Sequence, residues 1–282
     1  MSVKNFIPKL WSAGVNRELE KSLVLGGLCN RNYEGMIRNA GDTVKINGIG
    51  AVSVNTYTPY NDITFEQLQD ASTSLVIDQS KYFAFEIDDV DAAQVNASLM
   101  SSGASEAAYA LGDTADQFIA GKYTDAGITI TEANLESSNI TSTFAKLRTA
   151  FSENNVPTNM SIWAAVPPVV VEKLILAKLL VDTDNSAVLA TGALGRFMGF
   201  NIYESNNLTT SGTLAGGNLN IKCMAGTMNA ITYADQILKV EAVDLEKRFN
   251  DALKGLHVYG AKVVRPKELA LLDFTIEDET NI

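Results

Sequence analysis

The sequence predicts an α+β fold, and three observations carry that prediction. Apolar residues recur every fourth position in some stretches and every second position in others. The helical and strand-like stretches do not alternate regularly, which argues against a doubly wound parallel sheet. No internal repeat, Pro-rich linker or low-complexity tail divides the 282 residues, a length that suits one large domain or two lobes sharing a core.

The elements follow in chain order. Trp11, Val15, Leu19 and Leu23 make one apolar stripe of a short N-terminal helix, ended by "GGLCN". From Thr43 to Thr58 the period is two, with Val44, Ile46, Val52, Val54, Thr56 and Thr58 on one face of a half-buried ribbon that Gly48 and Gly50 interrupt. After the polar tip "PYNDITFEQLQDA" the alternation resumes through Leu75, Ile77, Phe83, Phe85 and Ile87, so the two runs are expected to pair as a long antiparallel hairpin. A hairpin of two strands is marginal alone. It either packs on this chain's own core or reaches across to a neighbouring molecule.

Asp88 and Asp89 are expected to cap a long Ala-rich helix that ends near Gly121 and spans about 50 Å if unbroken, with Gly103 and Gly112 as places to bend. Ile140, Phe144, Leu147 and Phe151 mark the next helix, which must stop before Pro157. "MSIWAAV" then reads as a buried strand, and Pro167 and Pro168 open the helix "PPVVVEKLILAKLL", where a missing N–H costs nothing. Strands are expected at "FNIYES", "NIKCMAG", "AITYA", "ILKVEAV" and "LHVYGAKVV".

Composition narrows function. A formal net charge of −11 argues against tight sequence-independent DNA binding, which needs clustered Lys and Arg. The first 40 residues are the exception, with Lys4, Lys9, Arg17, Lys21, Arg31 and Arg38 against Glu18, Glu20 and Glu34; this is either an interacting arm or a solvated helix face. Cys29 and Cys223 are too few for a disulfide framework and are expected to be free thiols in a reducing compartment. There is no signal-peptide h-region and no run of 18 apolar residues, so no membrane is expected.

The apparent chemical motifs fail on spacing. "TGALGRFMGFNIYESNNL" imitates a phosphate loop, but its glycines stand at 192, 195 and 199, a strand follows instead of a helix, and Arg196 and Met198 occupy two glycine positions of the short-chain dehydrogenase pattern. "AGKYT" resembles the end of a Walker loop, yet Asp116 stands at the first glycine position. "VDTDN" lacks the ligand and glycine of an EF-hand, because Ser186 and Ala187 follow. His257 is the lone histidine and sits in a strand-like run, packed and hydrogen-bonded rather than catalytic. No catalytic residue, cofactor or metal is therefore expected, although a carboxylate pair assembled by folding would leave no local trace.

The order of elements, with "GRFMGFNIYESNNL" followed by "VYGAKVVRP", resembles the major capsid proteins of tailed bacteriophages, which have the Hong Kong 97-type coat fold. The resemblance covers nearly the whole chain. It implies an N-terminal arm at 1–35, an extended loop at 36–87, a peripheral domain with its spine helix at 88–156, an axial domain at 157–234 and a return to the peripheral domain at 235–282.

It also implies a shell of pentamers and hexamers around double-stranded DNA, assembled in the host cytoplasm. A separate scaffolding protein and a portal are implied as partners, with room for decoration proteins and only weak, non-specific contact with packaged DNA. Some relatives carry a cleaved N-terminal region and some cross-link Lys to Asn; this chain starts at Met1 with a short arm, and neither cleavage nor cross-linking through Lys45 or Lys81 is expected. Trp11 and Arg17 on the arm, and Tyr57, Tyr60 and Phe65 near the loop tip, are the candidate intersubunit contacts, with packing inside the subunit as the alternative for each. A non-viral encapsulating shell of the same fold and a soluble enzyme remain as rival readings.

Overall fold

The computed structural model describes residues 23–33, 42–49, 54–57, 62, 65, 70–88, 98–157, 159–177, 193–213, 218–244 and 250–277. Its largest sheet has seven strands: β4 (Ile128–Glu132), β5 (Ile162–Val166), β6 (Ala193–Phe197), β7 (Phe200–Glu204), β8 (Thr209–Thr213), β9 (Asn218–Thr227) and β12 (Leu269–Glu277). The spatial order is β4-β12-β9-β5-β7-β6, with β8 paired to β9. β5 is buried at every position, as a central strand under helices must be.

Among the described residues there are three α-helices: α1 (Ser98–Ala120), α2 (Ile140–Glu153) and α3 (Pro168–Leu176). α2 buries the predicted stripe Ile140, Phe144, Leu147 and Phe151. Phe144 meets Phe197 and Phe200 edge-on at centroid distances of 5.4 and 5.9 Å, an arrangement that suits the ring quadrupoles. Pro168 occupies the first turn of α3, as predicted.

A second sheet holds β10 (Ile231–Asp244), β11 (Asn250–Val263) and β3 (Gln79–Asp88), in the order β10-β11-β3. "AITYA" and "ILKVEAV" are thus one strand, with an irregularity between Ile237 and Lys239. β1 (Thr43–Ile49) and β2 (Asp70–Val76) form the antiparallel ribbon. Val44, Ile46, Leu75 and Ile77 bury its base against Ala234 and Val258.

Four expectations change. The second half of the predicted hairpin parts company with the first at Ile77: Phe83 and Phe85 lie on β3, which pairs with β11. Gly255 stands opposite Phe83, and a Cβ there would come within 2.3 Å of the Phe83 ring, so the missing side chain is what admits the aromatic. Val54 does not share the burial of Val44 and Ile46 and is 97% exposed, because the ribbon's packing partners end before it.

Asp88 is not a helix cap; it closes β3 opposite Asn250, and the described helix runs from Ser98, about 35 Å long. Asp89 and Asp91 lie outside the described residues, as does "VDTDN". Finally, α1 is unbroken at Gly103 and Gly112. A Cβ there would meet Phe85 at 3.1 Å and Leu23 at 2.7 Å, so both glycines serve close approach.

Candidate assembly site

The segment 24–33 lies where ribbon, long helix and both sheets meet. It forms a 3₁₀ turn, Leu25–Leu28, and then a single bridge in which Asn30 N–H donates to the Ile231 carbonyl at 2.9 Å and Tyr233 N–H donates to the Asn30 carbonyl at 3.0 Å. Each end is fastened by a carboxylate from the body.

At the first end, Asp116 of α1 accepts from Gly26 N–H at 3.0 Å through Oδ1 and from Asn207 Nδ2 at 3.4 Å through Oδ2. Further main-chain bonds come from Val24 and Leu25. It acts as a borrowed cap on the otherwise unpaired N–H groups of the turn. Burial raises its carboxyl above the ordinary value of 3.8 despite these bonds, since among the described residues no cation balances the charge. Burial and then the Asp116 charge push the nearby Cys29 thiol up to about 12.

At the other end, Asp235 of β10 receives Arg31 Nη2 at 2.7 Å on Oδ1 and the Tyr233 hydroxyl at 3.1 Å on Oδ2, with His257 Nε2 at 3.3 Å from Oδ2. Burial alone would raise this carboxyl; the His257 hydrogen bond, the Arg31 charge and the Tyr233 hydroxyl together hold it at about 2. The guanidinium of Arg31 also lies 5.6 Å from the Tyr233 ring centroid. His257 is packed and hydrogen-bonded, as its strand position predicted.

Of the candidate contact residues, Tyr57 is 68% exposed and Phe65 is 95% exposed, beside the exposed Val54. Trp11, Arg17 and Tyr60 lie outside the described residues. Asp116, Asp235 and Arg31 were missed as structural joints; the one available signal was that Asp116 falls on the same stripe of α1 as the buried Ala115, Ile119 and Ala120.

Both cysteines are free and buried, and burial followed by the Asp273 charge raises the Cys223 thiol as well, so neither carries thiolate character at neutral pH. Among the described residues, no group of three or more His, Cys, Asp and Glu is placed to hold a metal, and no helix is long and apolar enough to cross a membrane. The glycine-rich stretch folds back as a hairpin: β6 and β7 are antiparallel, and Met198 and Gly199 form the two-residue turn with φ of 48° and 88°, a type I′ geometry. β6 was not foreseen, but the turn into a strand was.

A family model described as phage capsid protein matches residues 72–272, more than two thirds of the chain. The chain belongs to that family. This capsid protein aligns with a solved structure from Mycobacterium phage Che8 at 29% identity and a TM-score of 0.75, covering 96% of this chain and 98% of that one.

The capsid of cyanophage P-SCSP1u gives the same TM-score at 18% identity, with 96% and 93% coverage. The mature capsid of bacteriophage PhiM1 gives 0.68 at 14% identity, with 97% and 92% coverage. A search of curated proteins returns no match. The chain is a major capsid protein with the Hong Kong 97-type fold, a structural protein that forms the shell.

Proposed function

We propose that this capsid protein builds its shell from pentamers and hexamers that enclose double-stranded DNA, and that it does so as a structural element without enzymatic activity. The observation that carries the proposal is the division within the ribbon. Its base is buried on the subunit's own core, whereas Val54, Tyr57 and Phe65 are left at 97, 68 and 95% exposure. Apolar side chains that the described residues leave this exposed gain burial by lying against another molecule, and a closed symmetric shell supplies identical copies at fixed positions.

The proposal extends to the arm and the partners. Trp11 and Arg17 join Tyr57, Tyr60 and Phe65 as contacts between subunits, and the five segments take the arm, loop, peripheral, axial and return roles. A scaffolding protein, a portal and decoration proteins assist in the host cytoplasm. The net charge of −11 keeps contact with packaged DNA weak. The test replaces Tyr57 and Phe65 together by Ser in a chain co-expressed with its scaffold. A folded subunit that no longer forms shells supports the reading; normal shells from that variant would sink the role of the tip.

A further inference from the structure

We infer that the Met198–Gly199 turn of one copy inserts, head to tail, into a groove on the next copy lined by Pro168, Val171, Glu172, Ile175, Leu176 and Glu204, and that this contact closes the capsomer ring. The inference rests on the shell-forming reading above and names the two surfaces that meet.

The first observation is a residue that the subunit itself does not explain. Both residues of a type I′ turn need positive φ, which favours Asn-Gly or Asp-Gly. Here a methionine holds φ 48° while 41% exposed. Strain of this kind persists where function requires the side chain. An unbranched, polarizable thioether projecting from a rigid hairpin is suited to filling an irregular apolar gap.

The second observation is the gap. The groove holds about 280 Å³ and is open to solvent, with Ile175 and Leu176 57 and 58% exposed. It accommodates a few side-chain atoms, not a folded element. Glu204 ends β7 and the turn precedes its start, so turn and groove stand about 15 Å apart along one strand. A copy cannot place its own turn in its own groove.

The third observation is charge. Arg196 is exposed beside the turn, and Arg148 of α2 reaches it, 3.8 Å from where a Cβ on Gly199 would stand. Glu172 and Glu204 edge the groove. Among the described residues none of these four pairs with an opposite charge. Two basic groups flank the apolar knob and two acidic groups flank the apolar gap, on different faces of the same chain. That is the arrangement of a heterologous contact, which generates a ring when the rotation closes.

A chain carrying Met198→Cys and Ile175→Cys, assembled with scaffold and mildly oxidised, tests the contact directly, because Cys29 and Cys223 are buried. The expected result is a covalent ladder reaching five and six subunits on a denaturing gel, absent from either single variant. Shells that yield monomers only would overturn the inference and would leave the shell reading intact.

Two further variants keep the idea testable if the cysteines hinder assembly. Met198→Asn suits the turn better, so the melting temperature should hold or rise while shell yield falls at least about tenfold; unchanged yield counts against the knob. Arg196→Glu should lower yield at least about tenfold, and adding Glu172→Arg should restore most of it; no rescue counts against the pairing. Failure of the unaltered chain to assemble at all would overturn the shell reading and this inference together.

Discussion

Asp116 and Asp235 fasten the two ends of residues 24–33, yet their carboxyls move in opposite directions. Among the described residues, Asp116 is held only by main-chain N–H groups and an amide, and burial raises it. Asp235 sits among Arg31, His257 and Tyr233, and is held at about 2. Hydrogen bonds from neutral donors position a carboxylate without fully offsetting the cost of taking its charge out of water. Cationic and aromatic partners at a half-open site do both. The joint nearer α1 is therefore geometric, while the joint on β10 is electrostatic.

The largest effect should come from Asp116→Ala, which leaves the N–H groups of the 3₁₀ turn and the Asn207 amide without an acceptor. Loss of about 3 kcal/mol is expected, read as a lower denaturant midpoint together with faster hydrogen exchange at Gly26. Asp235→Asn follows, at about 2 kcal/mol, because the amide keeps the volume but releases Arg31. If the two variants lose equal amounts at high salt as well as low, the electrostatic reading of the second joint is wrong.

Acid titration sharpens the contrast further. Asp235 has a folded value below its unfolded 3.8, so its stabilisation is present above the unfolded value and is lost as pH falls towards 2. Asp116 has a folded value above 3.8, so the folded state binds the extra proton and stability falls as pH rises through that window. Removing Asp235 should flatten the acid limb of the stability curve, and removing Asp116 should steepen it. Asp116→Asn is the smallest change, within about 1 kcal/mol of the parent at pH 7, since it removes the buried charge and keeps an acceptor; a loss as large as that of the alanine variant would show that the charge itself is needed.

Much of the fold was legible because its signals are local. The 3.6-residue stripe of α2, the prolines opening α3 and the apolar run of β5 each lie within one short window. The strand β12 was legible in principle, since Leu272, Phe274 and Ile276 alternate with Leu271, Asp273 and Thr275 and are all buried, but the predicted strands stopped short of it. The departure of β3 from the ribbon was not legible, because the choice is made by Gly255, about 170 residues away, which provides the space for Phe83. The joints were hidden for the same reason: Asp116 meets Gly26 and Asn207 at sequence separations of 90 and 91. Even the mismatch that dismissed a Walker loop, an aspartate where glycine should stand, turned out to mark a structural role.

The loop tip was legible as a polar interruption between strands. Its exposure needed coordinates, since alternation alone placed Val54 on the buried face. On the proposed reading, burial at the base of the ribbon and exposure at its tip leave this subunit incomplete alone, and electron microscopy of two chains tests that directly. The parent chain with scaffold should give closed shells, and the Tyr57→Ser, Phe65→Ser chain should give dispersed subunits whose melting temperature matches the parent, because exposed positions contribute within about 0.5 kcal/mol to the monomer. Equal yields of identical shells from both chains would contradict the account.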